Sequence, residues 1–162
     1  MQLYMRVVIV WVSLAVTLGL GLWFFSAGSA RYSLLTLAGE PFVLEVAETP
    51  IMITRGLRGR SGIADNGGLE VHLRKPAILS YSTRSTPFPI DVLYFDADDL
   101  VVAIDRLPAD DPRLPGSTSP QPVMGALLLP GGTAQRLLIR PGYQIPFGRR
   151  WQRHHDGYGN FE

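Results

Sequence analysis

Nineteen consecutive residues without a formal charge, Val7 to Phe25, stand near the start of this chain and constrain it more than any other feature. As a helix at about 1.5 Å per residue the run reaches roughly 28 Å, close to the hydrocarbon thickness of a bilayer. A cleaved signal peptide is one reading, with Arg6 as a thin basic start and Gly28-Ser29-Ala30 as a cleavage site. Signal h-regions span about 7–15 apolar residues, and this run is longer. A single transmembrane anchor fits better. Tyr4 stands at one end and Trp23, Phe24, Phe25 and Tyr32 at the other, and such rings favour the membrane interface.

The basic residues flanking the run, Arg6 and Arg31, nearly balance under the positive-inside rule. The expected orientation leaves the short N-terminus in the cytoplasm and exports the domain, as a single-pass protein of a bacterial inner membrane with a periplasmic domain. Zero cysteines suit that compartment and exclude disulfides, thiolate catalysis and cysteine-ligated metals. Charged residues are 18% of the chain and the net charge is +1, without the basic stripe that a nucleic-acid binder needs. The expected organisation is a cytoplasmic stub and anchor at 1–30, an extracytoplasmic β-rich domain at 31–148 and a basic-aromatic tail at 149–162.

Past the anchor, short apolar alternations are separated by turn residues, the pattern of β-structure with a little helix. Ser33–Leu37 is a strand, Ala38-Gly39-Glu40-Pro41 a turn, and Phe42, Leu44 and Val46 place three apolar side chains on one face of a second strand. Thr49 is an N-cap and Pro50 suits the first helical position, so a helix of about two turns runs from Pro50 to Arg55 and ends at Gly56. The chain from Gly56 to Gly68 reads as a loop. Leu69, Val71 and Leu73 alternate as a short strand, and Ile78–Ser82 is another. Ile90 to Ile104 is the clearest hairpin, turning at Ala97-Asp98-Asp99. Asp105 to Pro122 carries five prolines and reads as a loop. Met124–Leu129 is a strand, Thr133 caps a short helix through Leu138, and Tyr143–Phe147 is a last strand. The fold class is β-rich α+β: one transmembrane helix, then a compact, mostly antiparallel barrel- or sandwich-like domain with two short helices.

Three stretches carry a resemblance: EVAETPIMITRGLRGR at 45–60, YSTRSTPFPIDVLYFDADDLVVAI at 81–104 and LLLPGGTAQRLLIRPGYQI at 127–145. In this order and spacing the chain resembles the bacterial and archaeal family catalogued as domain of unknown function 192. The third stretch is the closest in kind, because a Leu-Pro-x-Gly-Thr-Ala run before a Pro-Gly turn recurs in that family. The family's large apolar residues after Arg-Gly-Leu are replaced by Arg58 and Gly59. Its Phe-Trp-Met-Lys-Asn-Thr stretch becomes Tyr81-Ser82-Thr83-Arg84-Ser85-Thr86, which puts in doubt any ligand site that needs those groups. The resemblance implies a compact β-rich domain with short helices, often preceded by a signal or anchor, and no established reaction.

Candidate sites are few. Asp96, Asp98 and Asp99 fail the calcium-loop spacing, since Val101 stands where glycine is needed and Leu107 where glutamate is needed. His154-His155-Asp156 and the distant His72 do not supply three placed ligands. No Gly-x-Ser-x-Gly elbow and no phosphate-loop spacing occur. No catalytic, cofactor or metal site is therefore expected, and an enzyme is disfavoured. Arg55, Arg84 and Asp91, all in the family-like stretches, are candidates for a polar pocket; a structural ion pair is the plainer role. Ser13 with Thr17 and Ala15 with Gly19 put small residues four apart on the apolar run, a helix-packing face. Arg149, Arg150, Trp151 and Arg153 give the tail a partner-binding character. The leading expectation is a non-catalytic accessory subunit of a larger membrane complex, of photosynthetic or respiratory type, contacting other subunits and lipid. The alternative is a free-standing exported module for a small ligand.

Overall fold

A computed structural model describes residues 31–110 and 116–147. These form a mostly β domain: β1 (Tyr32–Leu37), β2 (Glu40–Ala47), α1 (Pro50–Arg55), β3 (Gly67–Ala77), β4 (Ser80–Tyr81), β5 (Ile90–Phe95), β6 (Val101–Leu107), β7 (Ser117–Thr118), β8 (Val123–Pro130) and α2 (Thr133–Arg136). Six strands make one mixed sheet in the order β1-β2-β3-β8-β5-β6, and β4 pairs with β7 in a second, two-stranded sheet. The expected barrel- or sandwich-like domain thus takes the form of one main sheet with β1 and β6 at its ends. All its pairings are antiparallel except β2 with β3.

The first hairpin follows from its turn. Ala38 and Gly39 hold φ of 47° and 90°, the left-handed pair that lets a two-residue turn match the twist of its strands. The β2–β3 pairing is parallel because α1 and the loop after it carry the chain back to the starting end. Thr49 accepts from the Met52 amide at 3.2 Å, Pro50 stands in the first turn, and Gly56 ends the helix at φ 55°, as the sequence predicts.

Two apolar clusters cover the two faces of the sheet. Leu69, Val71, Val92, Tyr94, Ala126 and Leu128 point to one face, under Met52 and Ile53 of α1. Leu35, Leu37, Phe42, Leu44, Leu93, Phe95, Leu127 and Leu129 point to the other, under Ala134 of α2 and Ile139 and Ile145 beyond it. A strand covered on both faces loses its polar alternation. All six residues of β5 are buried for this reason.

The structure corrects several expectations. β3 is eleven residues rather than five, because it takes in Gly67 and Gly68, which pair with Val43 and Leu44 of β2, and runs on through Arg74 to Ala77. Its pairing with β8 shifts between His72 and Ala77, around Pro76, which cannot donate to the ladder. β6 continues to Leu107, three residues into the supposed proline loop. Tyr143–Phe147 is not a strand. It makes one isolated bridge, Leu100 with Gln144, while Val101 donates to the Tyr143 carbonyl and Ile145 to that of Asp99, each at 2.9 Å.

Thr133 does not cap α2. The N-cap is Gly132 at φ 98°, with no capping side chain of its own. The carboxylate of Asp91 does the work, accepting from the Gly132 amide at 2.9 Å and the Ala134 amide at 2.8 Å. Among the described residues no helix is long and apolar enough to cross a membrane. The Val7–Phe25 run, its packing face Ser13, Ala15, Thr17 and Gly19, and the tail residues Arg149, Arg150, Trp151 and Arg153 lie outside the described residues.

Candidate functional site

α1 is short, so its position is set by its ends. At its C-terminus Gly56 comes so close to the sheet that a Cβ there would lie 3.1 Å from the Tyr81 ring and 3.3 Å from Leu128. The next residue, Leu57, is 2% exposed and pins the loop to the core. The chain then reverses. Gly59, at φ 78°, donates to the Ser85 carbonyl at 2.9 Å, and its missing Cβ leaves room for the Arg55 guanidinium. This reversal brings Arg60 back over the sheet, where its Nη2 meets Oε2 of Glu45 at 2.6 Å.

Between helix, loop and sheet lies a cleft of about 260 Å³, lined by Glu45, Met52, Arg55, Gly56, Arg60 and Leu69. Met52 and Leu69 supply apolar surface. Arg55 gives its Nε to the Arg58 carbonyl at 3.1 Å, which orients the fork and leaves the Nη groups for another acceptor. Arg60 is balanced by Glu45; Arg55 and the exposed Arg58 have no ion-pair partner among the described residues. The lining therefore holds two cations and one anion, a net charge suited to a monoanion.

Of the three residues expected to share a polar pocket, the structure puts only Arg55 in this cleft. Asp91 alternates with Leu93 and Phe95 and so points to the opposite face of the sheet, where the amides of α2 occupy it. Arg84 is exposed, next to the Ser85 that meets Gly59, and makes no ion pair among the described residues. Glu45, Met52, Arg60 and Leu69 were not expected as site residues. Glu45 carries a signal in hindsight: it is the one charge in the interior of an otherwise apolar strand.

Two buried polar groups stand elsewhere. Glu70 is fully buried on the α2 face, with Oε1 2.9 Å from Nε2 of His72 and Oε2 without a partner among the described residues. The imidazole packs between Phe95 and Phe147, at centroid distances of 5.1 and 4.7 Å. Nearby, burial pushes the Asp99 carboxyl up, with the His72 ring opposing that shift. On the α1 face, the Tyr94 hydroxyl meets Ser117 Oγ at 2.6 Å, and Ser117 donates to Asp105. Burial pushes both the Tyr94 and the stacked Tyr81 phenols above the ordinary value. Ser117 is 4% exposed, so this serine–carboxylate pair is closed to a substrate.

Comparison with known proteins gives fold likeness. The chain resembles a protein of unknown function from Novosphingobium aromaticivorans DSM 12444, with TM-score 0.67 and 24% identity over 75% of this chain and 89% of that one. It also resembles a protein described as a candidate transcription regulator from Sinorhizobium meliloti 1021, with TM-score 0.60 and 24% identity over 71% of this chain and 94% of that one. None of the curated proteins matches. A family model described as "Uncharacterized ACR" matches residues 34–147.

Proposed function

The chain belongs to the uncharacterised DUF192 family, and from that premise we propose that this member is a non-catalytic, membrane-tethered extracytoplasmic domain that binds a small carboxylate in the Arg55–Arg60 cleft. One observation carries the reading: two guanidiniums against one carboxylate, over an apolar wall of Met52 and Leu69. A carboxylate accepts from guanidinium nitrogens in a planar fork, and the attached hydrocarbon covers the apolar wall. The length of the Val7–Phe25 run supports the tether. Against catalysis stands the closed Ser117–Asp105 pair, since a nucleophile must reach its substrate. The regulator role ascribed to the Sinorhizobium protein is not carried over: a net charge of +1 does not favour a phosphate backbone.

The test is calorimetric titration with octanoate and with octanol, which share a chain and differ in charge. Octanoate binds and octanol binds at least tenfold more weakly, because a charge-assisted hydrogen bond contributes about 1.5–3 kcal/mol. Arg55→Gln weakens octanoate by a similar factor and leaves the fold intact. Equal affinity for the two probes, or an unchanged Arg55→Gln, removes the reading.

A second reading, an accessory subunit of a larger membrane complex, is favoured by β1, an end strand of the sheet that pairs only with β2 among the described residues. Such an edge is a template for a partner strand. In this reading Gly19→Leu in the small-residue face, and truncation after Phe147, each lower co-purification of partner subunits from a mild detergent extract. Retention of those partners by the doubly altered protein rejects it.

A further inference from the structure

The outer face of the first hairpin is apolar and bare. Leu35 and Leu37 fill the core, yet their strand neighbours Tyr32 and Leu34 are also apolar and are 67% and 81% exposed. Leu34 stands directly across from Val43, itself 41% exposed, so the two side chains form one patch. Tyr32 stands directly across from Glu45, the carboxylate of the cleft. A strand apolar on both faces at the end of a sheet calls for something to cover the second face.

We infer that this patch rests on the lipid bilayer and brings the cleft to the membrane surface. The inference builds on the proposed tether. Chain length favours lipid as the occupant: Leu34 is nine residues after Phe25, and nine residues span at most about 32 Å. If the apolar run ends at the interface, the patch is held within that reach of lipid headgroups. Tyrosine is at home in that zone. Arg55, at the end of α1, and Arg58, whose carbonyl its Nε meets, lie on the same side of the sheet as the patch and attract an anionic membrane. A cleft whose Glu45 is the cross-strand partner of Tyr32 then takes its carboxylate from the bilayer: a single-chain lipid acid.

The chain has no cysteine, so Leu34→Cys creates a unique thiol for a spin label, and the exposed Leu138→Cys, just beyond α2 on the opposite face, supplies the control. The full chain is reconstituted into vesicles of phosphatidylcholine and phosphatidylglycerol, with a nickel-chelating lipid as the headgroup relaxer. The label at position 34 relaxes several-fold faster than the label at 138. Equal relaxation at the two positions overturns the inference while the tether stands. Spin–spin broadening at 34, lost on dilution with unlabelled protein, assigns the face to a second copy and also overturns it. Failure of the wild-type chain to float with the vesicles rejects the tether, and the inference with it.

Discussion

Asp91 and Ala134 are 43 positions apart in the sequence and are joined by a hydrogen bond of 2.8 Å from the Ala134 amide to the Asp91 carboxylate. The same carboxylate takes the Gly132 amide, so one strand residue supplies the whole cap of α2. Asp91 is 2% exposed, and its removal leaves two amides without their acceptor, that of Ala134 buried and that of Gly132 half-buried. Asp91→Ala lowers unfolding stability by about 2–4 kcal/mol, combining a lost cap with unpaired donors. Asp91→Asn keeps an acceptor and costs about 1 kcal/mol. Urea denaturation of the three proteins checks both values, and equal losses would assign the whole effect to the carboxylate charge rather than to the retained acceptor.

Glycines separate strain from crowding. Gly39 sits at φ 90° with open space around its Cβ direction, so Gly39→Ala costs about 1 kcal/mol of backbone strain. At Gly125, a Cβ would stand 2.1 Å from the Val71 carbonyl and 2.3 Å from the Phe95 ring. Gly125→Ala must push β3 and β5 away from β8 and costs about 3 kcal/mol or more. Thermal melts order the two variants, with Gly125→Ala much the lower.

The two stacked tyrosines respond oppositely to loss of their hydroxyls. The Tyr81 hydroxyl is buried without a partner among the described residues, so Tyr81→Phe raises stability by about 1 kcal/mol. Tyr94 bonds Ser117, so Tyr94→Phe lowers it by about 1 kcal/mol.

Their pH dependence has a definite sign. Burial raises both phenols above 10.0, so the folded chain holds protons that the unfolded chain releases. Their contribution is intact below pH 10 and declines as pH rises beyond it. Denaturant melts across that range show the decline, and it is shallower in Tyr81→Phe.

The proposed tether requires that the apolar run stay on the chain. Intact mass of protein extracted from membranes includes the residues before Arg31. A mature mass beginning near Arg31 identifies a cleaved leader instead.

Local chemistry was legible in this sequence and parity across the sheet was not. Thr49, Pro50 and Gly56 mark the ends of α1 by rules that act within a few residues, and the turn at Gly39 does the same for the first hairpin. Thr133 looked like a cap by those rules, but a tertiary carboxylate overrode it. Gly67-Gly68 and the polar Arg74-Lys75-Pro76 hid the length of β3, since both read as loop, and Glu70 read as solvent-facing although it is buried beside His72. Arg55 and Asp91 looked like pocket companions because both lie in family-like stretches. A strand shows alternate residues to opposite faces, and only the pairing partners reveal which face belongs to which site.

The place of β8 has a consequence for synthesis. It lies between β3 and β5, yet it is the last strand in sequence among the described residues. Until residue 130 emerges, the main sheet is in two fragments, β1-β2-β3 and the β5–β6 hairpin, each with an unsatisfied edge where β8 belongs. Closing a sheet through contacts between positions such as Leu69 and Leu128 is slow, because distant segments must meet before any pairing is rewarded. The main sheet therefore stays open until β8 is available, and then closes around it.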